Sequence, residues 1–166
     1  ARSLLAGHSS GLRTGVSTVS DIMMATLVAY PFIIDAGLLA WGINESPDIA
    51  FQLAAMNSES IFINGLVMML TKNIVGRQRP YAEGCTSNSD SKTCNSSEAN
   101  LSFLSGHTSM AFTGAGLVCA HENHLPLYGN RSTRAIACGS ALAAASTVGV
   151  LRVVADKHHL TDVLAG

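Results

Sequence analysis

Ala135 to Leu151 is a run of 17 uncharged residues, mostly Ala, Gly, Ser and Val. It lacks the alternation of a half-buried strand, and its small side chains let neighbouring backbones approach closely, so it belongs inside a packed set of helices. A membrane-crossing helix needs about 20 apolar residues, which makes the run short for a span and well suited to the middle of a bundle. A second apolar stretch, Val16 to Ile43, contains the charge-free run Ile22 to Ile34. Ser20-Asp21 reads as its N-cap, Pro31 as a kink, and Asp35 in mid-span would cost about 2.5–3.5 kcal/mol unless it faces protein or water. Close-packed helices of this kind suit a membrane bundle or a tightly packed soluble one.

Composition narrows the partners. The 166 residues are 48% hydrophobic and 13% charged with a formal net charge of -1. A nucleic-acid surface needs a basic excess, so nucleic acid is excluded as a partner. The length suits one domain covering residues 1–166. The chain opens Ala1-Arg2 and stops at Gly166 inside an apolar run, which reads as a fragment lacking native N- and C-terminal parts. The lack of a leader peptide is therefore uninformative.

Punctuation divides the rest. Residues 1 to 15 carry no sustained period and are assigned no function. Asn44 to Asp48 is a turn, and Pro47 suits the first turn of a helix that runs on to Lys72 and Arg79, as one helix or two in series. Pro80 ends it. Tyr81 to Asn100 is the one long polar loop, and its Cys85 and Cys94 are expected to pair if the loop faces an oxidising compartment. Cys119 and Cys138 sit in apolar runs and read as packed thiols, while His121 and His124 read as surface residues with no cluster to complete a metal site.

Three short stretches carry charge chemistry. Lys72 and Arg79 are seven apart, two helical turns, so both side chains point one way; cations at a helix C-terminus also simply complement the dipole. Ser105 is a natural N-cap, and Gly106 leaves the first-turn N–H groups open to an anion with His107 beside it; an ordinary capped helix start has the same sequence. His158 and Asp162 share a face of any helix containing both, so the carboxylate would hold one ring nitrogen and free the other for attack; a solvated helix start fits too. Arg152 lies off that face, so a bend through Val153 to Lys157 is expected to return it to the imidazole.

Taken jointly, Lys72-x6-Arg79-Pro80, Ser105-Gly106-His107 and Arg152-x5-His158-x3-Asp162 resemble the signature of the type 2 phosphatidic acid phosphatase family, whose site is shared with bacterial non-specific acid phosphatases and vanadium-dependent haloperoxidases. The resemblance selects His158 over His159, and it implies an all-α helical bundle embedded in or associated with a membrane. It further implies a metal-independent and cofactor-free phosphomonoesterase or lipid phosphate/diphosphate phosphatase. In that scheme His158 attacks phosphorus, Asp162 orients it, and His107 is acid and then base. Lys72, Arg79, Ser105, Gly106 and Arg152 cradle the phosphoryl oxygens. The substrate would be a lipid phosphate or other phosphomonoester at a membrane, with the site on the periplasmic or lumenal side.

Two positions depart from the family pattern. Leu104 replaces a common proline and Leu151 a common serine. These departures motivate one alternative, a catalytically quiet membrane subunit retaining the phosphate pocket; the shared site motivates another, a vanadate-dependent haloperoxidase, because residues that hold a phosphoryl transition state also hold vanadate.

Overall fold

The computed structural model describes residues 10–83, 96, 98–125 and 127–166, and among these it contains helices and no strand. Helix α1 (Ser10–Tyr30) continues into a π-helical segment (Pro31–Ile43); α2 is Pro47–Val75, followed by a 3-10 turn (Pro80–Ala82); α3 is Gly106–His124, α4 Arg131–Val154 and α5 Leu160–Ala165. The chain is an all-α bundle, as expected.

Local chemistry explains the boundaries, and several differ from expectation. Proline 31 has no N–H to close an α turn, and the helix carries on beyond it with a wider register, so the expected kink becomes a change of helix type. Ser20-Asp21 lies inside α1 and is no N-cap. Helix α2 does begin at Pro47, but it ends at Val75 because Gly76 turns left-handed (φ 58°) and donates its N–H to the Lys72 carbonyl. Lys72 therefore sits in the last turn, whereas Arg79 lies beyond it in extended backbone at φ -75°, ψ 150°. The two are not on one continuous helix face.

Small residues set the packing. Helices α3 and α4 run antiparallel with α1 laid across both, and their shared core is Leu27, Ala111, Ala115, Ala145 and Val148. Gly114 lies against the Leu27 backbone, where a Cβ would overlap the carbonyl, so α1 and α3 touch main chain to main chain. A second cluster, Ala36, Ala40, Ala50 and Leu53, joins the π segment to α2. Helix α2 turns most of its large apolar side chains outward, with Phe51, Phe62 and Ile74 exposed, the last to 83%. Apolar surface on that scale needs a cover. Three stretches, Gly11–Ile43, Pro47–Ala82 and Arg131–Val154, are long and apolar enough to cross a membrane.

The end of the bundle formed by the C-terminus of α3 overturns two readings. His121 is buried, and its Nδ1 lies 2.7 Å from Asp35 Oδ2. Tyr128 donates its hydroxyl to Asp35 Oδ1 at 2.6 Å. Asp35 is thus fully buried against protein, the condition under which a carboxylate is tolerated in an apolar helix. Cys119 and Cys138 are joined as a disulfide with Cα atoms 4.6 Å apart, not separate packed thiols. Antiparallel pairing of α3 and α4 brings them together across the contact between the two helices, a proximity their 19-residue separation in sequence does not reveal. The expected Cys85–Cys94 bridge lies outside the described residues.

Candidate active site

The bend after α4 organises the site. Val154 is the last helical residue, Asp156 takes a left-handed conformation (φ 60°), and α5 restarts at Leu160. The expected turn between Arg152 and the histidine is therefore present. It also removes His158 from any helix shared with Asp162: His158 stands in the bend, and Asp162 is in the first turn of α5, where Oδ2 accepts the His159 N–H at 3.0 Å. This carboxylate caps a helix.

His158 is buried, and its Nδ1 is 2.8 Å from the Ser102 carbonyl oxygen. A carbonyl only accepts, so Nδ1 carries the proton and Nε2 keeps its lone pair. Asp162 Oδ2 is 3.9 Å from Nδ1, too far for a hydrogen bond but close enough to act through charge. Burial, followed by the charges of Arg79 and Arg152, drives His158 well below the usual imidazole range, so the ring is neutral. Lys72 acts on it in the same sense.

Asp162 is fully buried, and three donors hold it. Arg77 reaches Oδ1 at 2.6 Å, Ser102 Oγ donates to Oδ2 at 2.5 Å, and the His159 N–H completes the set. Ser102 thus grips the ring with its carbonyl and the carboxylate with its hydroxyl. Its own N–H donates to the Arg77 carbonyl at 2.9 Å, which closes a knot between the segment after α2 and the bend.

Ser105 caps α3 as expected, its Oγ accepting the Thr108 hydroxyl at 2.8 Å and facing the Thr108 N–H at 3.5 Å. A Cβ on Gly106 would collide with Met68 and crowd the Lys72 ammonium, so glycine lets α2 bring its cation to the start of α3. Arg79 is buried and donates Nε to the Glu98 carbonyl at 3.0 Å. His107, the next residue of α3, has Nε2 2.9 Å from Asp21 Oδ1, and the same oxygen accepts Arg152 NH1 at 2.7 Å. Burial first, and Arg152 second, lower His107 to about 4 against the pull of Asp21. One buried imidazole, one half-buried imidazole and three cations, from five separate stretches of chain, therefore share one electrostatic environment, suited to holding a phosphoryl group without metal ligands.

Sequence reasoning missed Arg77, Ser102 and Asp21. Arg77 was legible only as an extra cation inside the Lys72-x6-Arg79 interval, and Ser102 only as the serine three before Ser105. Asp21 had no signal at all, since its role depends on α1 packing across the C-terminal end of α4.

The class the fold defines is an all-α bundle with three helices long and apolar enough to cross a membrane, and it gathers these imidazoles and cations together. The family model described as PAP2 superfamily matches residues 55–166, well over half of the chain, and the chain belongs to that superfamily. Membership brings phosphatase-type activity on phosphate esters in general. No solved structure matches the chain at a significant level.

Proposed function

We propose that the protein is a metal-independent phosphatase that hydrolyses a lipid phosphate or diphosphate through a phosphohistidine on His158. The observation that carries this reading is the buried His158 whose Nδ1–H is spent on the Ser102 carbonyl, leaving Nε2 as a neutral nucleophile among three cations. Nε2 forms the bond to phosphorus as the bond from phosphorus to the leaving oxygen breaks, and His107 gives that oxygen its proton. Water then gives a proton to His107 and its oxygen to phosphorus, the P–N bond breaks, and phosphate leaves. His107 holds its proton weakly in the free site, and the negative charge of a bound phosphate strengthens that hold. Lys72, Arg79 and Arg152, with Ser105 Oγ and the Gly106 amide, take the phosphoryl oxygens. Asp162, 3.9 Å from Nδ1, stabilises the imidazolium charge by proximity while Ser102 sets the ring angle.

The outward apolar side chains of α2 favour a lipid substrate, since they keep the site at a bilayer surface. We place the site on the periplasmic or lumenal side because the polar stretch that links Arg79 to Ser102 in sequence carries Cys85 and Cys94, a pair expected to bridge in an oxidising compartment. The Cys119–Cys138 bridge does not bear on which side the site faces, since Cys119 is about 20 Å along α3 from Gly106.

Purified protein should release phosphate from phosphatidic acid or undecaprenyl diphosphate with a chelator present. Brief reaction with 32P-labelled substrate should leave an acid-labile, base-stable label on the protein. His158→Ala should abolish both. Turnover that survives in His158→Ala, or that stops with the chelator, would overturn the reading.

A further inference from the structure

The far end of α4 holds a cavity. It has a volume of about 420 Å3 and is lined by Glu122, Asn123, Arg131 and Arg134 beside the Cys119–Cys138 bridge. Glu122 is only 2% exposed, yet neither carboxylate oxygen has a hydrogen-bond partner. The Arg134 Nε is likewise buried and unpartnered, although its NH1 reaches the Glu122 carbonyl at 3.2 Å. Of the six buried side-chain polar atoms without partners among the described residues, three therefore belong to this cavity. Leaving a buried charged group unpaired is costlier than leaving a neutral one, so the cavity calls for an occupant that both accepts and donates.

We propose that this cavity is a second ligand site, which takes a phosphate–ammonium zwitterion such as the headgroup of an ethanolamine phospholipid. The ammonium donates to the Glu122 carboxylate, and the phosphate accepts from Arg134 Nε and the Arg131 guanidinium. A lone anion would sit against Glu122 with Asp35 behind it, and a lone cation would face two arginines. A zwitterion satisfies both. Burial and Asp35 push Glu122 up to about 7, and an adjacent ammonium is what restores its ionised form at neutral pH.

Position argues for a lipid as the carrier of that headgroup. Arg131 and Arg134 lie about 27–32 Å along α4 from Arg152, which matches the hydrocarbon thickness of a bilayer, about 30 Å. With Arg152 at one interface, the cavity stands at headgroup level in the opposite leaflet. The inference is independent of the catalytic reading, because Glu122, Arg131 and Arg134 take no part in the proposed chemistry.

The test is native mass spectrometry of the intact protein in detergent with phosphatidylethanolamine, phosphatidylglycerol or phosphatidylcholine, alongside melting curves with soluble phosphoethanolamine. Phosphatidylethanolamine should be retained about tenfold better than either other lipid, since one lacks the ammonium and the other has no N–H. Glu122→Gln should remove about that tenfold preference, and Arg134→Gln should lower retention of all three lipids, since each carries the phosphate, with phosphatase activity of the variants confirming the fold. Arg131→Gln, at an exposed position, is the fallback if Arg134→Gln fails to fold. A melting rise with soluble phosphoethanolamine that Glu122→Gln abolishes would support the zwitterion site and show that the headgroup alone suffices. Equal retention of the three lipids by the unaltered protein, a preference that survives Glu122→Gln, or retention unchanged by the arginine substitutions would overturn the proposal and leave a water-filled cavity.

Discussion

Replacing Arg77 with glutamine should lower kcat about tenfold while leaving KM for p-nitrophenyl phosphate within about twofold. Arg77 donates to Asp162 Oδ1 at 2.6 Å and to Thr161 Oγ1 at 2.7 Å, and it is the only full charge bonded to that buried carboxylate among the described residues. A hydrogen bond to a charged group contributes about 1.5–3 kcal/mol, whereas an exposed ion pair contributes about 0–1 kcal/mol. The Arg77 side chain is 37% exposed and Asp162 is fully buried, which places the pair between these limits. About 1.4 kcal/mol of that felt by the transition state is tenfold in rate. The route is indirect: with one donor gone, the carboxylate swings from its capping position towards Nδ1, 3.9 Å away, and competes with the Ser102 carbonyl for the ring proton. Because the phosphate cradle is untouched, binding should hold. Arg77→Lys should recover part of the rate, since an ammonium reaches one oxygen but not the geometry of the fork. Steady-state kinetics in detergent, with a melting curve for each variant, decide the matter. An unchanged kcat, or a loss carried wholly by KM, would refute the argument that Arg77 positions the nucleophile through Asp162.

Three further outcomes follow from the same geometry. His107→Ala should cost far more turnover on an alkyl phosphate than on p-nitrophenyl phosphate, whose leaving group needs no proton, and equal losses would remove His107 as the acid. Stability measured by melting should fall as pH drops from about 6.5 through about 4, because the unfolded chain takes up protons that the folded His107 and His158 resist. Glu122 has the opposite sign: its raised value favours the folded state when protonated, so that contribution is lost as pH rises through about 7 and should vanish in Glu122→Gln. Replacing both Cys119 and Cys138 with serine should cost about 3 kcal/mol by the chain-entropy relation for a loop of this size, seen as a lower melting temperature. Its effect on kcat should be small, because the bridge lies about 20 Å along α3 from the site.

The sequence by itself determined the helical class and named the candidate site residues. Long uncharged runs of small residues have few stable arrangements besides packed helices, and Ser105, with its hydroxyl, caps α3 wherever that helix packs. Cation, imidazole and carboxylate spacings were legible because the family's chemistry is written in side-chain types. Tertiary structure decided how those side chains are held. Gly76 ends α2 before Arg79, and the bend at Asp156 takes His158 off the helix of Asp162, so periodicity assigned shared faces that the backbone does not keep. Ser102 became the ring's hydrogen-bond partner through its main-chain carbonyl, a group every residue carries and no motif marks. Asp21, Arg77, the Asp35–His121 pair and the Cys119–Cys138 bridge all join residues that only helix packing brings together. A one-dimensional pattern records which faces are apolar, and contact between distant elements depends on which faces then meet.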